Sequence, residues 1–327
     1  MSICIPTFNR AAFIGATLDS LTSQITDEVE IVIVDGGSND RTEDIVRARA
    51  HGDPRLKYLR QERNSGVDRD MDHSVRAASG TYCWLMSSDD LVRPGAISRV
   101  LDECRGNPDL LIVNSEIRNF DMSTTVRKRV LRIDEDVTYG SADRERFFVA
   151  VGAYLSYMAC VVIRRELWLA RVRDWFYGTE FISLGVVLEQ GIPERTKVIA
   201  QPLVSIRYGN FTWAPRAFEI SLFKWPAMIW ALPYRDQVKL RVCPNGGWRE
   251  LPRLLYHRAL GGFGRREAAR YVDRKEIGGL RRWIAYAICV LPARVVNAVA
   301  IAYYSIRRDS EDTLYMLRTC TAYWRRA

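Results

Sequence analysis

The first ninety residues alternate between short apolar runs and longer segments with apolar residues at helical spacing. The runs are Ser2–Pro6, Val29–Val34, Leu56–Leu59 and Thr81–Met86. Each is short, several are rich in β-branched residues, and each stops at a cluster of turn residues. That is the pattern of strands buried on both faces. Between them, Ala11–Gln24 places Phe13, Ala16, Leu18 and Leu21 on one helical face. A second helix is expected from near Arg41 and a third over Val67–Ser79. Strand and helix in strict alternation predict an α/β fold, Rossmann-like, with a mostly parallel sheet flanked by helices.

The pattern then loosens. Asp109–Ser115 reads as a fifth strand, Arg127–Arg132 as an alternating edge strand, and Tyr157–Ile163 as another buried strand leading into a helix over Arg164–Leu169. Ile182–Gln190 is an apolar helix stopped by Gly191, and Lys197–Ile206 is a last strand. From Asn210 the texture changes. Phe211, Trp213, Phe218, Phe223, Trp225, Trp230 and Tyr234 crowd together, and prolines interrupt short helices. The expected division is a sheet domain over 1–210 and a mainly helical C-terminal extension over 211–327.

Four strands end in polar clusters: Thr7-Phe8-Asn9, Asp35-Gly36-Gly37-Ser38, Arg63-Asn64-Ser65-Gly66 and Ser87-Ser88-Asp89-Asp90. Ligands of open α/β sheets bind at the carboxyl ends of strands, so these clusters predict one rim. Adjacent carboxylates at a strand end suit a hard divalent cation, Mg²⁺ or Mn²⁺, which usually arrives with a phosphate. Taken alone, Ser87–Asp90 reads equally well as a helix cap ahead of Pro94. The other three strand ends favour a site. No Gly-x-Gly-x-x-Gly follows the first strand and no Gly-x-x-x-x-Gly-Lys-Ser/Thr occurs anywhere, so neither an ordinary dinucleotide fold nor a P-loop is supported. Asp35 could accept hydrogen bonds from a base or ribose, and an ion at Asp89 could bridge phosphates.

Composition changes the picture in two places. At 48% hydrophobic and 11% aromatic, the 327 residues are enough for a packed core. The seven cysteines are scattered singly and read as reduced, buried small hydrophobes, and the three histidines lie far apart. The net charge of +9 is segregated: residues 241–327 hold 17 Lys/Arg against 7 Asp/Glu, while the rest of the chain is close to neutral. Within that basic quarter, Ile284–Tyr304 is apolar but broken by Pro292, Arg294 and Asn297, and flanked by Arg281, Arg282, Arg307 and Arg308. This suits an amphipathic segment lying on an anionic membrane. An ordinary helical subdomain or a homodimer interface stays open. The bases are interleaved with apolar runs, so nucleic acid is not an expected partner. No leader-like segment precedes the first strand, and a cytoplasmic location is expected.

Ser2–Arg10 (SICIPTFNR), Val32–Thr42 (VIVDGGSNDRT), Arg63–Gly66 (RNSG) and Ala78–Asp90 (ASGTYCWLMSSDD) resemble, in order and spacing, the family 2 glycosyltransferases of GT-A fold. The Trp-Leu-Met-Ser-Ser-Asp-Asp form is most similar to the abequosyltransferase-type subgroup of O-antigen and cell-surface polysaccharide assembly. The resemblance implies an inverting glycosyltransferase. Such an enzyme moves a sugar from a nucleotide-sugar donor to a hydroxyl of a saccharide or lipid-linked acceptor, at the cytoplasmic face of the inner membrane. Pro6, Thr7, Asn9 and Asp35 would then line the nucleotide pocket, Asp40 and Asn64 would support it, and Asp89 would bind Mn²⁺ or Mg²⁺. Ser87 departs from the Asp-x-Asp-Asp of many relatives, which leaves Asp89 as the chief metal ligand. Relatives place a general base at the start of a later helix. Counting back from Glu189-Gln190-Gly191 puts Glu180 there, with Thr179 where a second acid would stand. An acceptor hydroxyl must lose its proton as it attacks, which a carboxylate within hydrogen-bond reach achieves. Asp174 is an alternative base, and a first-turn acid favoured by the helix dipole is the bland reading of Glu180. Processive synthases carry Gln-x-x-Arg-Trp; here Gly279 stands where Gln would precede Arg282-Trp283. A non-catalytic, nucleotide-sugar-binding relative of the same fold is the remaining alternative.

Overall fold

The computed structural model describes residues 1–210, 216–244, 251–272, 279–306 and 311–319. Phe211, Trp213, Arg307 and Arg308 therefore lie outside the described residues.

The chain begins β1 (Ser2–Thr7), α1 (Ile14–Thr22), β2 (Glu30–Asp35), α2 (Thr42–Ala50), β3 (Leu56–Arg60), α3 (Val67–Ala77) and β4 (Tyr82–Leu85). It continues through β5 (Leu91–Val92), α4 (Ala96–Arg105), β6 (Leu110–Arg118), β7 (Thr125–Arg127), β8 (Val137–Tyr139), α5 (Arg144–Val151), β9 (Val161–Arg164), α6 (Arg165–Ala170), α7 (Ile182–Leu188) and β10 (Thr196–Arg207). One sheet runs β3-β2-β1-β4-β9-β6-β10-β5, with β7 added to β6 and β8 to β10. The strands β3, β2, β1 and β4 are mutually parallel, as are β6 and β10. Between these two blocks β9 runs antiparallel to both neighbours.

Successive side chains of each strand feed opposite layers, as period-two geometry requires. In β4, Cys83 and Leu85 join one layer with Met71 and Val75 of α3, Phe147 and Phe148 of α5 and the whole of α7. Tyr82, Trp84 and Met86 join the other, with Leu18 and Leu21 of α1 and Ile97 and Val100 of α4. Trp84 is fully buried, and its ring N–H donates to the Ala159 carbonyl at 2.9 Å, so the largest side chain of the strand leaves no polar atom unpaired.

Two expectations change. The strand expected over Tyr157–Ile163 begins only at Val161, because Met158–Cys160 makes a tight 3₁₀ turn first. The edge strand expected over Arg127–Arg132 is confined to β7, ending at Arg127. Beyond it the chain is held by Asn114 instead. This buried amide donates to the carbonyls of Leu131 (2.8 Å) and Ala200 (2.9 Å) and accepts the N–H groups of Leu131 and Ser115, both at 2.9 Å. It thus stitches β6 to the irregular stretch of β10 around Pro202, where the register shifts.

Past β10 come α8 (Ala217–Glu219), a π turn over Ile220–Lys224, α9 (Trp225–Ala231), α10 (Asp236–Val242), α11 (Leu251–Ala259), α12 (Arg265–Glu267), α13 (Gly279–Val290), α14 (Ala293–Ile306) and α15 (Glu311–Thr319). Their packing divides later than residue 210. Met228, Ile229, Leu232, Tyr234 and Val238 belong to the sheet's own core layer. A separate small core gathers Phe218, Leu222, Leu254, Phe263, Ala285 and Ile288. Among the described residues no single helix is long and apolar enough to cross a membrane; α13 and α14 together have the length and composition but bend by 101° at their junction.

The Asn114 contacts make a direct prediction. Asn114→Ala strands four buried backbone groups, and at about 1–3 kcal/mol for an unsatisfied group, with partial relief by relaxation, the loss should reach roughly 3 kcal/mol. Urea unfolding measures it; a loss below 1 kcal/mol would show that the amide is not holding β6 to β10.

Candidate active site

The strand order turns at β1: the chain moves outward to β2 and β3, then returns to place β4 on the other side of β1. Such a switch point opens a crevice at the carboxyl ends of the two diverging strands. Thr7 and Ser87 leave the sheet on either side of it.

The loops around the crevice are fixed by side chains that cap backbone amides. Asp35 is fully buried; its carboxylate accepts the Ser38 N–H at 2.8 Å and the Tyr58 hydroxyl at 2.6 Å. Those bonds make it the floor of the rim, with Gly36 following directly. A side chain at Gly36 would meet Asp70 Oδ2 at 2.6 Å and Asn64 Oδ1 at 3.5 Å, so the glycine permits β2, the Asn64 loop and α3 to close up. Asn64 Oδ1 accepts the Gly66 N–H at 2.8 Å. Asn9, at φ 53°, exchanges bonds with the second loop: its N–H donates to Ser38 Oγ and its side-chain oxygen accepts the Asn39 N–H, both at 2.9 Å. Asp40 accepts the Ala11 N–H at 3.1 Å and the Thr42 N–H at 2.9 Å, tying the start of α1 to that of α2. Pro6 pairs with Val34 and Thr7 with Asp35 in the β1–β2 register. The Thr7 hydroxyl is buried and has no hydrogen-bond partner among the described residues. Pro6, Thr7, Asn9, Asp35, Asp40 and Asn64 are thus gathered along one edge, most of them with their polar atoms spent on loop architecture.

The two adjacent carboxylates divide their labour. Asp90 turns inward, where it accepts the Ser87 hydroxyl at 2.5 Å and the Arg207 N–H at 2.8 Å. Burial, and then the charge of Asp89 beside it, push its carboxyl up to about 7. Asp89 turns toward the crevice with 16% of its side chain exposed. Its Oδ2 accepts Asn210 Nδ2 at 2.7 Å and lies 3.5 Å from an Arg10 guanidinium nitrogen. Arg207 braces the pair from behind, donating to the Asp89 carbonyl at 2.9 Å and the Phe120 carbonyl at 2.6 Å over the ring of Phe13. Among the described residues no cluster of three or more His, Cys, Asp or Glu is arranged to hold a metal.

Three acids of α3, Asp68, Asp70 and Asp72, gave no signal in the sequence: the first two stand in the first helical turn, where the helix dipole favours acids, and the third lies among charged residues one turn on. All three are buried. Asp70 accepts Gln61 Nε2 and the Ser65 hydroxyl, both at 2.6 Å, on the Asp35 side. Asp68 faces the other way and accepts the N–H groups of Glu180 (2.8 Å) and Ile182 (3.1 Å), capping α7 from outside the helix. Burial raises both carboxyls. Asp72, one turn on, accepts the Trp168 ring N–H at 2.9 Å and the Tyr177 hydroxyl at 2.7 Å. The first turn of α3 therefore touches the Asp35 rim with one carboxylate and the Glu180 segment with the next.

Glu180 precedes α7 rather than sitting in its first turn, and its backbone is left-handed at φ 73°. A non-glycine residue held there costs about 1–3 kcal/mol, and the two Asp68 bonds offset it. Its carboxylate pairs with Lys224 at 2.9 Å and with Arg216, both from the segment that follows the sheet domain. Lys224 also donates to the Gly178 carbonyl at 2.7 Å, closing the loop over its own ion pair. Asp174, by contrast, is exposed at the start of a 3₁₀ turn.

With this geometry in place, comparison with known proteins is specific. The family model for glycosyl transferase family 2 matches residues 2–167, half of the chain, and the protein belongs to that family. It is 28% identical over 225 residues to the abequosyltransferase RfbV of Salmonella typhimurium, covering 64% of this chain and 67% of that one. Its fold is similar to that of S. aureus TarS 1-349 solved in complex with UDP (TM-score 0.58, 15% identity, 99% of this chain and 91% of that one). It is also similar to that of a Pyrobaculum calidifontis mannosyltransferase solved with GDP-Man and Mn2+ (TM-score 0.51, 16% identity, 98% and 85%). These folds are GT-A, and the mixed sheet with its helical C-terminal region is of that type. Family membership supports transferase activity.

Asp90 predicts a pH dependence. An unfolded aspartate titrates near about 4, so between there and about 7 the folded protein holds a proton that the unfolded chain has lost. Stability contributed by this site is fully present below that window and falls as pH rises through it. Asp90→Asn can still accept the Arg207 N–H on its oxygen and donate from its NH2 group to the Ser87 oxygen, and it removes the titration. Urea midpoints across the window should slope downward in the wild type and less so in the variant; parallel slopes would rule out a raised Asp90.

Proposed function

We propose that the protein is an inverting glycosyltransferase that moves a sugar from a nucleotide-sugar donor to a hydroxyl of a saccharide or lipid-linked acceptor in bacterial surface polysaccharide synthesis. One observation carries the reading: a single carboxylate, Asp89, is turned to the β1–β4 crevice while α3 ties that crevice to a second carboxylate, Glu180. The nucleoside would lie along Pro6, Thr7, Asn9 and Asp35, with Asp40 and Asn64 holding the loops that frame it. Asp89 fits a divalent ion of the Mg²⁺ or Mn²⁺ type, because such ions are commonly held by one or two carboxylates and the phosphates of the substrate rather than by an all-protein cage. The Ser87 hydroxyl donates to Asp90, so toward the ion it could offer only a neutral oxygen, leaving Asp89 as the anionic ligand. When bound, the ion would supply charge neutralisation for the leaving diphosphate. Arg10, alongside Asp89, adds a cation at the same place.

In the transfer itself the acceptor oxygen forms its bond to the anomeric carbon as the bond to the diphosphate breaks. The proton of the acceptor hydroxyl passes to Glu180. A single displacement inverts the anomeric centre. Arg216 and Lys224 hold the Glu180 carboxylate in place from the C-terminal segment, so that segment completes the site.

The same segment supports a place for the reaction. Trp283, Val295, Val299 and Ile306 project from α13 and α14, with Trp283 75% and Ile306 83% exposed. The exposed bases Arg281, Arg282 and Arg294 lie among them. Apolar side chains flanked by cations suit an anionic bilayer surface, which would put the enzyme on the cytoplasmic face of the inner membrane.

Three experiments test these readings. Glu180→Gln and Asp89→Asn should each lower transfer roughly a hundredfold or more at an unchanged melting temperature; full activity in either removes that residue from the chemistry. A thermal-shift screen of UDP-, GDP-, CDP- and dTDP-sugars with Mn²⁺ identifies the donor, because a ligand of the native state raises apparent stability. For the membrane, Trp283→Glu/Val299→Glu should abolish flotation with phosphatidylglycerol vesicles. A wild-type protein that buries this face in a stable homodimer and does not float would overturn the assignment.

A further inference from the structure

We infer that the open cavity between β7 and the start of α15 is a binding site for a phosphate ester presented at a membrane surface. The cavity has a volume of about 540 Å³ and is lined by Thr125, Val126, Arg127, Lys128, Arg129, Arg132 and Glu311, four cations and one acid, with Asp312 and Asp134 as further acids against Arg127 and Arg129. Two of the cations are positioned by the fold. Arg127 donates to the carbonyls of Arg129 and Val130, both at 3.0 Å, and lies 3.3 Å from the Asp312 carboxylate. Arg129 donates to the Ile133 carbonyl at 3.2 Å and pairs with Asp134 at the same distance. Lys128 and Arg132 are exposed at the same cavity. Clustered cations concentrate anions, and an exposed guanidinium such as that of Arg132 matches the oxygens of a phosphate.

Placement narrows the ligand. On one side the cavity is linked to the crevice: the Tyr315 hydroxyl of α15 accepts the Phe120 N–H at 2.9 Å, and the Phe120 carbonyl accepts the same Arg207 side chain that braces Asp89. On the other side α15 is fastened to α14, whose Asn297 amide donates to the Leu317 carbonyl at 2.9 Å. The cavity thus lies between the proposed reaction crevice and the exposed apolar helices. A phosphate there belongs to a molecule anchored in the bilayer: the phosphate that links an acceptor saccharide to its lipid, or the headgroup of an anionic phospholipid. This inference rests on the membrane-bound transferase reading above, and it adds a second phosphate site distinct from the donor diphosphate at Asp89.

The test compares wild type with Lys128→Ala/Arg132→Ala by co-sedimentation on three vesicles: phosphatidylcholine alone, phosphatidylcholine doped with an isoprenoid monophosphate, and phosphatidylcholine doped with phosphatidylglycerol to the same charge. Both side chains are exposed, so an unchanged melting temperature is the check on folding. The variant should bind doped vesicles about thirtyfold more weakly while its binding to phosphatidylcholine is unaffected. A loss confined to the isoprenoid phosphate assigns the cavity to a lipid-linked acceptor. An equal loss on both doped vesicles assigns it to the anionic headgroup. Unaltered binding to both overturns the site. Donor-induced stabilisation of the wild type reports the transferase reading separately; its absence would remove that reading and leave the vesicle result standing.

Discussion

Burying carboxylates away from water is the constraint on which the rest of this rim depends. Asp35, Asp68, Asp70 and Asp90 are all nearly inaccessible, and a buried carboxylate without partners costs several kcal/mol. Each is answered by amide N–H groups, hydroxyls or a side-chain amide, and in answering it the loops acquire their shape. Asp35 draws in Ser38 and Tyr58, Asp68 the start of α7, Asp70 the Gln61–Ser65 turn, and Asp90 the end of β10. Asp89 and Glu180 are met differently. Their partners are long, flexible cations and one amide: Arg10 and Asn210 for the first, Arg216 and Lys224 for the second. A ligand can displace such side chains without unravelling a loop, which separates the two carboxylates available for chemistry from the four that hold the frame.

The parallel half of the sheet and the crevice were legible in the sequence because each strand there carries its own evidence: an apolar run of strand length, a turn cluster, and a helical period after it. The reversed direction of β9 was not, since an antiparallel strand covered on both faces reads as the same apolar run as a parallel one. Residue pattern placed the Asp89–Asp90 pair without dividing it, and the family resemblance alone singled out Asp89; adjacent residues at a strand end point opposite ways, and only packing shows which faces the core. Arg207 and Asn210 left the faintest trace. A lone base and a lone amide at the end of the last strand gain meaning only when β10 is found antiparallel to β5, the short strand that follows Asp89 and Asp90, which brings them to Asp89.

The C-terminal extension is less separate from the sheet domain than its composition suggests. The change in aromatic density at residue 210 marks where the chain leaves the sheet, not where the core ends. The helices α9 and α10 fill the face already occupied by α5 and α7, whereas Phe218 and Leu222, just ahead of them in the chain, join α11 and the later helices in an independent core. The segment between these packing regions carries Lys224 and Arg216, so the connection between the two cores is also the connection to Glu180. Changes in how the outer helices sit would be felt at the carboxylate through this short stretch.

The left-handed backbone at Glu180 has an evolutionary consequence. At φ 73° glycine is the residue the local geometry prefers, and every other side chain carries a conformational burden. Selection of variants for heat resistance alone would therefore drift toward glycine at this position, and would discard the carboxylate in doing so. A persistent glutamate under such selection would be a signature of pressure from the reaction rather than from the fold.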